Sequence, residues 1–193
     1  ERWPGRAELL SVEHDPAWFA RVREMLQPLP HARQVLAEPT GTLGPNASAG
    51  EERPDLLRDY IHAADDDAKQ NGHFDVILVD GVARNACIKH ARSLLTEDGV
   101  LVIHDAQRPW YDEGKGSLTA WGHSGSCPDY PGPHLWWGGS ADAPQHRAAN
   151  AEMPLIVSYY TKDTPYEDEA RDLMSSLDAL GLEHRVESLP VTG

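Results

Sequence analysis

The sequence predicts an α/β fold in which buried, mostly parallel strands alternate with helices. Three observations carry that expectation. Phe74-Asp75-Val76-Ile77-Leu78-Val79-Asp80-Gly81 is an apolar run rich in Val and Ile, too continuous to alternate, as in a strand covered on both faces of a parallel sheet. A second continuous run, Val100-Leu101-Val102-Ile103, ends in His104-Asp105. Between them lie a helical stretch from about Asn85 to Leu95 and a turn at Glu97-Asp98-Gly99; strand, helix and strand in this rhythm make a right-handed crossover.

The remaining elements follow in chain order. Residues 8–12 read as a strand close to Glu1, followed by a turn at Glu13-His14-Asp15-Pro16. A helix runs from Ala17 to about Leu26, with Pro16 at a favoured first-turn position and Phe19, Val22 and Leu26 spaced to face a sheet. Residues 28–54 are rich in Pro, Gly, Ala and Ser and form a loop around a short strand at 33–37. One helix is expected from Asp55 to about Gln70, stopped by Asn71-Gly72. From Gln107 to about Asn150 the chain is rich in Trp, Gly, Pro and His, with an antiparallel pair around 120–122 and 135–138. Composition then shifts to a strand at 154–161, a helix at 166–180 stopped by Gly181, and a strand at 184–188. Strands abut both termini, so the expectation is a segment cut from a longer polypeptide.

The 193 residues, 40% of them hydrophobic, suffice for one full α/β domain or for a partial domain and the beginning of another. A formal charge of −14, from 31 acidic and 17 basic residues, repels phosphate backbones and anionic lipid. Nucleic acid and membrane are therefore not expected partners; a small molecule or another protein is, and self-association into a homo-oligomer stays open. Cys87, inside a predicted helix, and Cys127, in a loop, form neither a disulfide framework nor a CxxC metal motif. With no bilayer-length apolar run and no signal-peptide layout at Glu1, a cytoplasmic location is expected.

Ligands of open parallel sheets sit beyond the carboxyl ends of the strands, so Glu13, Asp80 and Asp105 are the residues to weigh. Glu13 has the position of a ribose-binding acid, although an acid opening a helix is also favoured by the helix dipole. Asp80 ends an apolar strand, where its carboxylate needs a partner or serves as a cap. Asp105 lies between His104 and Arg108, which are equally suited to be its structural partners. His104, His123 and Asp80 are candidate bases, while His31, His62, His73 and His90 read as surface residues. Trp121, Trp136 and Trp137 either wall an acceptor pocket or cover the sheet edge.

Ser11-Val12-Glu13-His14-Asp15-Pro16-Ala17-Trp18, FDVILVDGVAR at 74–84 and LLTEDGVLVIHDAQRPWY at 94–111 resemble, in order and spacing, segments of class I S-adenosylmethionine-dependent methyltransferases. The resemblance covers residues 1–140. It implies a Rossmann-like, seven-stranded, mostly parallel sheet with S-adenosylmethionine at its carboxyl edge, truncated here ahead of the family's first strand and Gly-rich turn. It assigns Glu13, His14, Asp80 and Gly81 to cofactor binding, and Asp80, His104 and Asp105 to the methyl-transfer site. The acceptor it implies is a hydroxyl of a small molecule or sugar. Metal-dependent members carry an Asp-Asn or Asp-Asp pair after the fifth strand, where this chain has Asp105-Ala106. A divalent metal is accordingly doubtful, with His104 the one substitute ligand. Without the Gly-rich turn, weak cofactor binding by these 193 residues is expected.

After a linker at 141–153, IVSYYTKDTPYEDEARDLMSSLDALGLEHRVESLP at 156–190 is similar to the opening of nucleotide-diphospho-sugar glycosyltransferases. That resemblance makes 154–193 the start of a second βαβ domain, with Ser158, Tyr159, Tyr160 and Thr161 in the nucleotide-contacting stretch and Tyr166 opening the helix. The family's metal-binding Asp motif has no counterpart, so no sugar transfer is expected from this segment. Two other readings stand beside a methyltransferase segment of a bifunctional protein. In one, a glycosyltransferase carries a degenerate methyltransferase-like partner; in the other, a single α/β domain only binds or scaffolds.

Overall fold

In the computed structural model, residues 8–44, 49–124, 135–140, 155–161 and 184–190 are described. The first two strands, β1 (Leu9–Glu13) and β2 (Ala32–Leu36), pair in parallel with Leu9 opposite Ala32 and Glu13 opposite Leu36. The helix between them, α1 (Pro16–Leu26), starts where the sequence places it. The Asp15 side chain accepts a hydrogen bond from the Trp18 backbone N–H at 2.7 Å, and Pro16 fills the first helical position, where a missing N–H costs nothing.

The single helix expected over 55–70 is instead broken. After α2 (Ala49–Glu52), a 3₁₀ turn at Pro54–Leu57 leads into α3 (Arg58–Ile61), and α4 (Asp65–Asn71) follows as a separate helix. The His62 N–H closes α3 on the Arg58 carbonyl at 3.1 Å, and the chain turns through 62–64. The helix restarts at Asp65, Asp66 and Asp67, residues poor in a helix interior but favoured in a first turn, where the positive end of the dipole meets their charge. The expected stop does hold: Gly72, at φ +96°, ends α4 in a conformation that other residues rarely adopt.

Strand β3 (Phe74–Val79) pairs in parallel with β4 (Leu95–His104), across α5 (Arg84–Ala91). Two boundaries differ from expectation. Helix α5 stops at Ala91 rather than Leu95, because the chain turns with the Ser93 and Leu94 N–H groups on the carbonyls of His90 and Ala91. The Glu97-Asp98-Gly99 turn is a bulge within β4, between the Phe74–Leu95 and Val76–Val100 pairs. A 3₁₀ turn at Pro109–Tyr111 and α6 (Asp112–Lys115) then lead to β5 (Thr119–Ser124) and β6 (Leu135–Gly139). These two strands form the anticipated antiparallel pair, and β6 also pairs antiparallel with β4, giving the order β3-β4-β6-β5. The architecture is thus α/β with mixed pairing, three of the five strand pairs among the described residues being parallel.

One face of the four-stranded sheet carries the main core. Val79, Leu101, Ile103 and Trp136 pack against Ile88 and Ala91 of α5 and against Tyr111. Leu101, Ile103 and Ile88 are fully buried, worth about 1.5–3 kcal/mol each by apolar transfer. Val100, Val102, Leu135 and Trp137 form a smaller cluster with Trp121 packed against it. Trp136 and Trp137 follow each other on β6 and so point to opposite faces of the sheet. They therefore cannot line one pocket together; Trp136 packs into the main core and Trp137 into the smaller cluster. A Cβ on Gly122 would lie 2.5 Å from the Trp137 ring, so glycine there makes room for the indole. Leu78 corrects the expectation that β3 is covered on both faces: α5 packs over the Val79 face, whereas Leu78 is 63% exposed among the described residues.

Strands β7 (Leu155–Thr161) and β8 (His184–Pro190) form a parallel pair, joined to no other strand among the described residues. Ser158, Tyr159, Tyr160 and Thr161 belong to β7. The expected helix at 166–180 with Tyr166, the linker at 141–153, and Cys127 lie outside the described residues. No helix among the described residues is long and apolar enough to cross a membrane.

Candidate functional site

The carboxyl ends of β1, β2, β3 and β4 bring most of the sequence-predicted residues to one edge. Asp80 follows β3, His104 ends β4, and Asp105 follows it. His104 Nδ1 lies 2.7 Å from Asp80 Oδ1. The Asp105 carboxylate meets the guanidinium of Arg108 at 2.9 Å and that of Arg84 at 3.5 Å. Asp80, His104 and Asp105 are therefore one connected group.

Its organiser is Arg84, which sequence reasoning did not single out. The side chain is buried, and every bond it makes is to the strand ends. Nε donates to the Gly81 carbonyl at 2.8 Å, NH2 to the Asp80 carbonyl at 2.8 Å, and NH1 to the His104 carbonyl at 2.6 Å. NH2 also lies 3.2 Å from the Asp80 carboxylate. A buried guanidinium is tolerable only when paired and hydrogen-bonded in this way. Glu51 of α2 supplies the matching cap: its carboxylate accepts from the Arg84 backbone N–H at 2.5 Å and from that of Asn85 at 3.1 Å, at the positive end of α5. The residue before α5, Ala83, has no side-chain cap to offer and sits at φ +48°; Asp105 sits at φ +54°. These are the two non-glycine residues with positive φ among the described residues, and both flank Arg84's contacts.

Charge at this edge is tuned by burial and by neighbours. Burial is the largest influence on His104 and pulls its pKa down, but the Asp80 hydrogen bond and the charges of Asp80 and Asp105 outweigh it, so the net shift is upward. Glu13 is raised, first by burial and then by the charges of Asp80 and Asp15. Burial lowers His14, against an opposing pull from Asp15. The Cys87 thiol, which donates to the Val82 carbonyl, is pushed up to about 12 by burial and the Glu51 charge, so it is no nucleophile at neutral pH.

Glu13, His14 and Gly81 meet around Tyr60. The His14 and Tyr60 rings pack edge to face at 5.5 Å, and His14 Nδ1 is buried with no hydrogen-bond partner among the described residues. A Cβ on Gly81 would lie 2.0 Å from the Tyr60 hydroxyl, so only glycine lets β3's continuation pass the phenol. Beside this cluster opens a cleft of about 520 Å³. His14 and Asp15 come to it from the end of β1, Glu38 and Pro39 from beyond β2, and Val82 from beyond β3.

His123 is not part of the group. It lies exposed on the edge strand β5, opposite Trp136, two strands away from the strand of His104. At about 4.8 Å per strand, that separation is roughly 10 Å. Asp80 and Asp105 both face guanidinium groups, so a divalent cation between them would meet the charge of Arg84. The set does not fit a metal centre at the ends of β3 and β4. No protein-family model and no curated protein matches the chain.

Proposed function

We propose that the chain carries the greater part of a class I S-adenosylmethionine-dependent methyltransferase fold, and that the cleft beside Tyr60 takes the adenosyl portion of the cofactor. The observation that carries this reading is the cleft's place, beyond the carboxyl ends of three strands in parallel pairings. Glu13, at the end of β1 and next to the cleft-lining His14, is the acid assigned to the ribose hydroxyls, and His14, Asp15 and Glu38 bring further polar side chains to the cleft. Six strands lie within 8–140, and the first strand that the resemblance places ahead of β1 makes seven. Both β1 and β3 pair on one side only among the described residues, while Glu13 feels the Asp80 charge. On this reading, one further parallel strand would pair with both and join the two sheets.

Bound S-adenosylmethionine would supply an electrophilic methyl group. The chain's part is to align an acceptor hydroxyl of a small molecule or sugar and to take its proton. His104 receives that proton, and Asp80 orients the imidazole and stabilises its charged form. Asp105 acts through Arg84 and Arg108, which makes it a positioning residue.

Calorimetric titration of S-adenosylhomocysteine tests the reading, using a polypeptide that continues upstream of Glu1, the 193-residue chain, and Glu13→Gln in the longer form. The expected result is binding by the longer form, weakened at least tenfold by Glu13→Gln. Absence of binding by the longer form overturns the proposal.

A further inference from the structure

A second cluster lies at the other end of α5. His90 is six residues beyond Arg84, about 9 Å along the helix axis, in the last turn of α5. His90 Nε2 is 2.5 Å from Asp65 Oδ1, and His62 Nδ1 is 3.0 Å from Asp65 Oδ2. The two imidazole rings lie tilted at 58° to each other with centroids 4.1 Å apart. All three ligand atoms fall within 4.8 Å of one another. His90 and Asp65 also line a cavity of about 210 Å³, together with His73, Lys69 and Ser93. Contrary to the surface role read from sequence, His90 is largely buried, while His62 is half exposed.

The break between α3 and α4 creates this arrangement. In a continuous helix His62 and Asp65 would be one turn apart on one face, with no fixed relation to α5. The turn at 62–64 instead sets the Asp65 carboxylate between two imidazoles, with one oxygen towards each. Two imidazole nitrogens and a carboxylate are donors that suit zinc and its first-row neighbours, with water completing the coordination; magnesium and calcium prefer oxygen alone. Ligands at about 2.0–2.2 Å from a common tetrahedral cation lie roughly 3.4 Å apart, so His90 Nε2 draws back from the Asp65 carboxylate by about 1 Å and His62 Nδ1 by a few tenths of an ångström, within a set of atoms that already lie inside 4.8 Å of one another. The neighbouring charges do not oppose a cation: Lys69 is paired with Asp66 at 3.0 Å, and Arg33 is held by Asp67 at 3.0 Å.

We propose that His62, Asp65 and His90 bind one divalent transition-metal ion of the zinc type, which clips the bend between α3 and α4 to the last turn of α5. The role is structural, because the site is separated from the Asp80–His104 pair by the length of α5. It is independent of the methyltransferase reading.

The test is titration of zinc chloride into the metal-stripped 193-residue protein by calorimetry, with magnesium chloride as comparison and His62→Gln, His90→Gln and His123→Gln as variants. Circular dichroism verifies that each variant is folded; His62, being half exposed, is the substitution the fold tolerates best. The expected result is one zinc per chain and no magnesium binding. Affinity falls more than about tenfold in His62→Gln and is unchanged in His123→Gln. A melting temperature raised by about 5 °C or more is expected when zinc is present at a hundred times its dissociation constant. Lack of saturable zinc binding by the wild-type chain overturns the proposal, as does zinc binding that His62→Gln leaves intact.

Discussion

The two sheets that meet at the candidate site are built differently. The four-stranded sheet β3-β4-β6-β5 has a core in which Leu101, Ile103 and Ile88 are fully buried. The pair β1-β2 with α1 contributes no fully buried side chain on its strands or its helix. Its attachments to the rest of the chain are polar or aromatic, among them Arg33 to Asp67 and His14 to Tyr60. The cleft draws its lining from the ends of β1 and β2 and from Val82 beyond β3, one region held by packing and the other by a few specific contacts. The difference teaches that the well-packed half holds Asp80 and His104 in place, while the lightly packed half, with Glu13, is the part whose position a ligand bound as proposed would fix.

That contrast can be broken or sharpened by substitution. The largest effect is expected at Ile103→Ala, a loss of about 2–5 kcal/mol in chemical denaturation, against about 1 kcal/mol or less for Val12→Ala in β1. Arg84→Met is expected to cost about 3 kcal/mol or more, because three carbonyls lose their donor, Asp80 loses its guanidinium partner and Asp105 keeps only Arg108. Equal losses at Ile103 and Val12 would mean that β1 shares the core. Gly81→Ala should cost about 1–3 kcal/mol through the Tyr60 hydroxyl, and Tyr60→Phe should recover part of that loss in the double variant.

The smallest effect is electrostatic. His104 has a folded-state pKa above its ordinary value, so its pairing with Asp80 stabilises the fold fully below the unfolded-state pKa near 6.5, and that contribution is lost as pH rises through the folded value. Asp80→Asn should therefore narrow the stability gap to wild type as pH increases across that window. An NMR titration of the ring should show the midpoint falling in Asp80→Asn; an unchanged midpoint would remove Asp80 as the partner that tunes it.

Much of the fold was legible because periodicity and punctuation acted locally. The continuous runs at 74–79 and 100–103, Pro16 behind Asp15, and Gly72 at a helix end all did in the structure what their residue types favour. The antiparallel β5–β6 pair was legible from two short segments in a poorly periodic stretch. The break at 62–64 was not legible, because Ala63 and Ala64 are good helix formers and the turn is fixed by Asp65 reaching His90, a contact with a distant segment. Likewise, Glu13, Asp80 and Asp105 were singled out by their places at strand ends, and His104 as a candidate base. Arg84 and Glu51 were not, since nothing in VAR or in AGEE announces that one is buried across four strand-end groups or that the other caps a helix 33 residues later. Arg84 does stand three residues past Gly81, at the start of a helix, and a cation so placed after a buried strand is the signal that was there to be read.

The measurement that tests the central claim most directly is a ¹⁵N-resolved NMR titration of S-adenosylhomocysteine into the polypeptide extended upstream of Glu1. Backbone amides of His14, Gly41 and Val82 at the cleft should shift together and saturate together, with His123 on the far edge strand unmoved. Saturable shifts confined to β7 and β8, or none at all, would contradict an adenosyl site at the carboxyl ends of β1, β2 and β3.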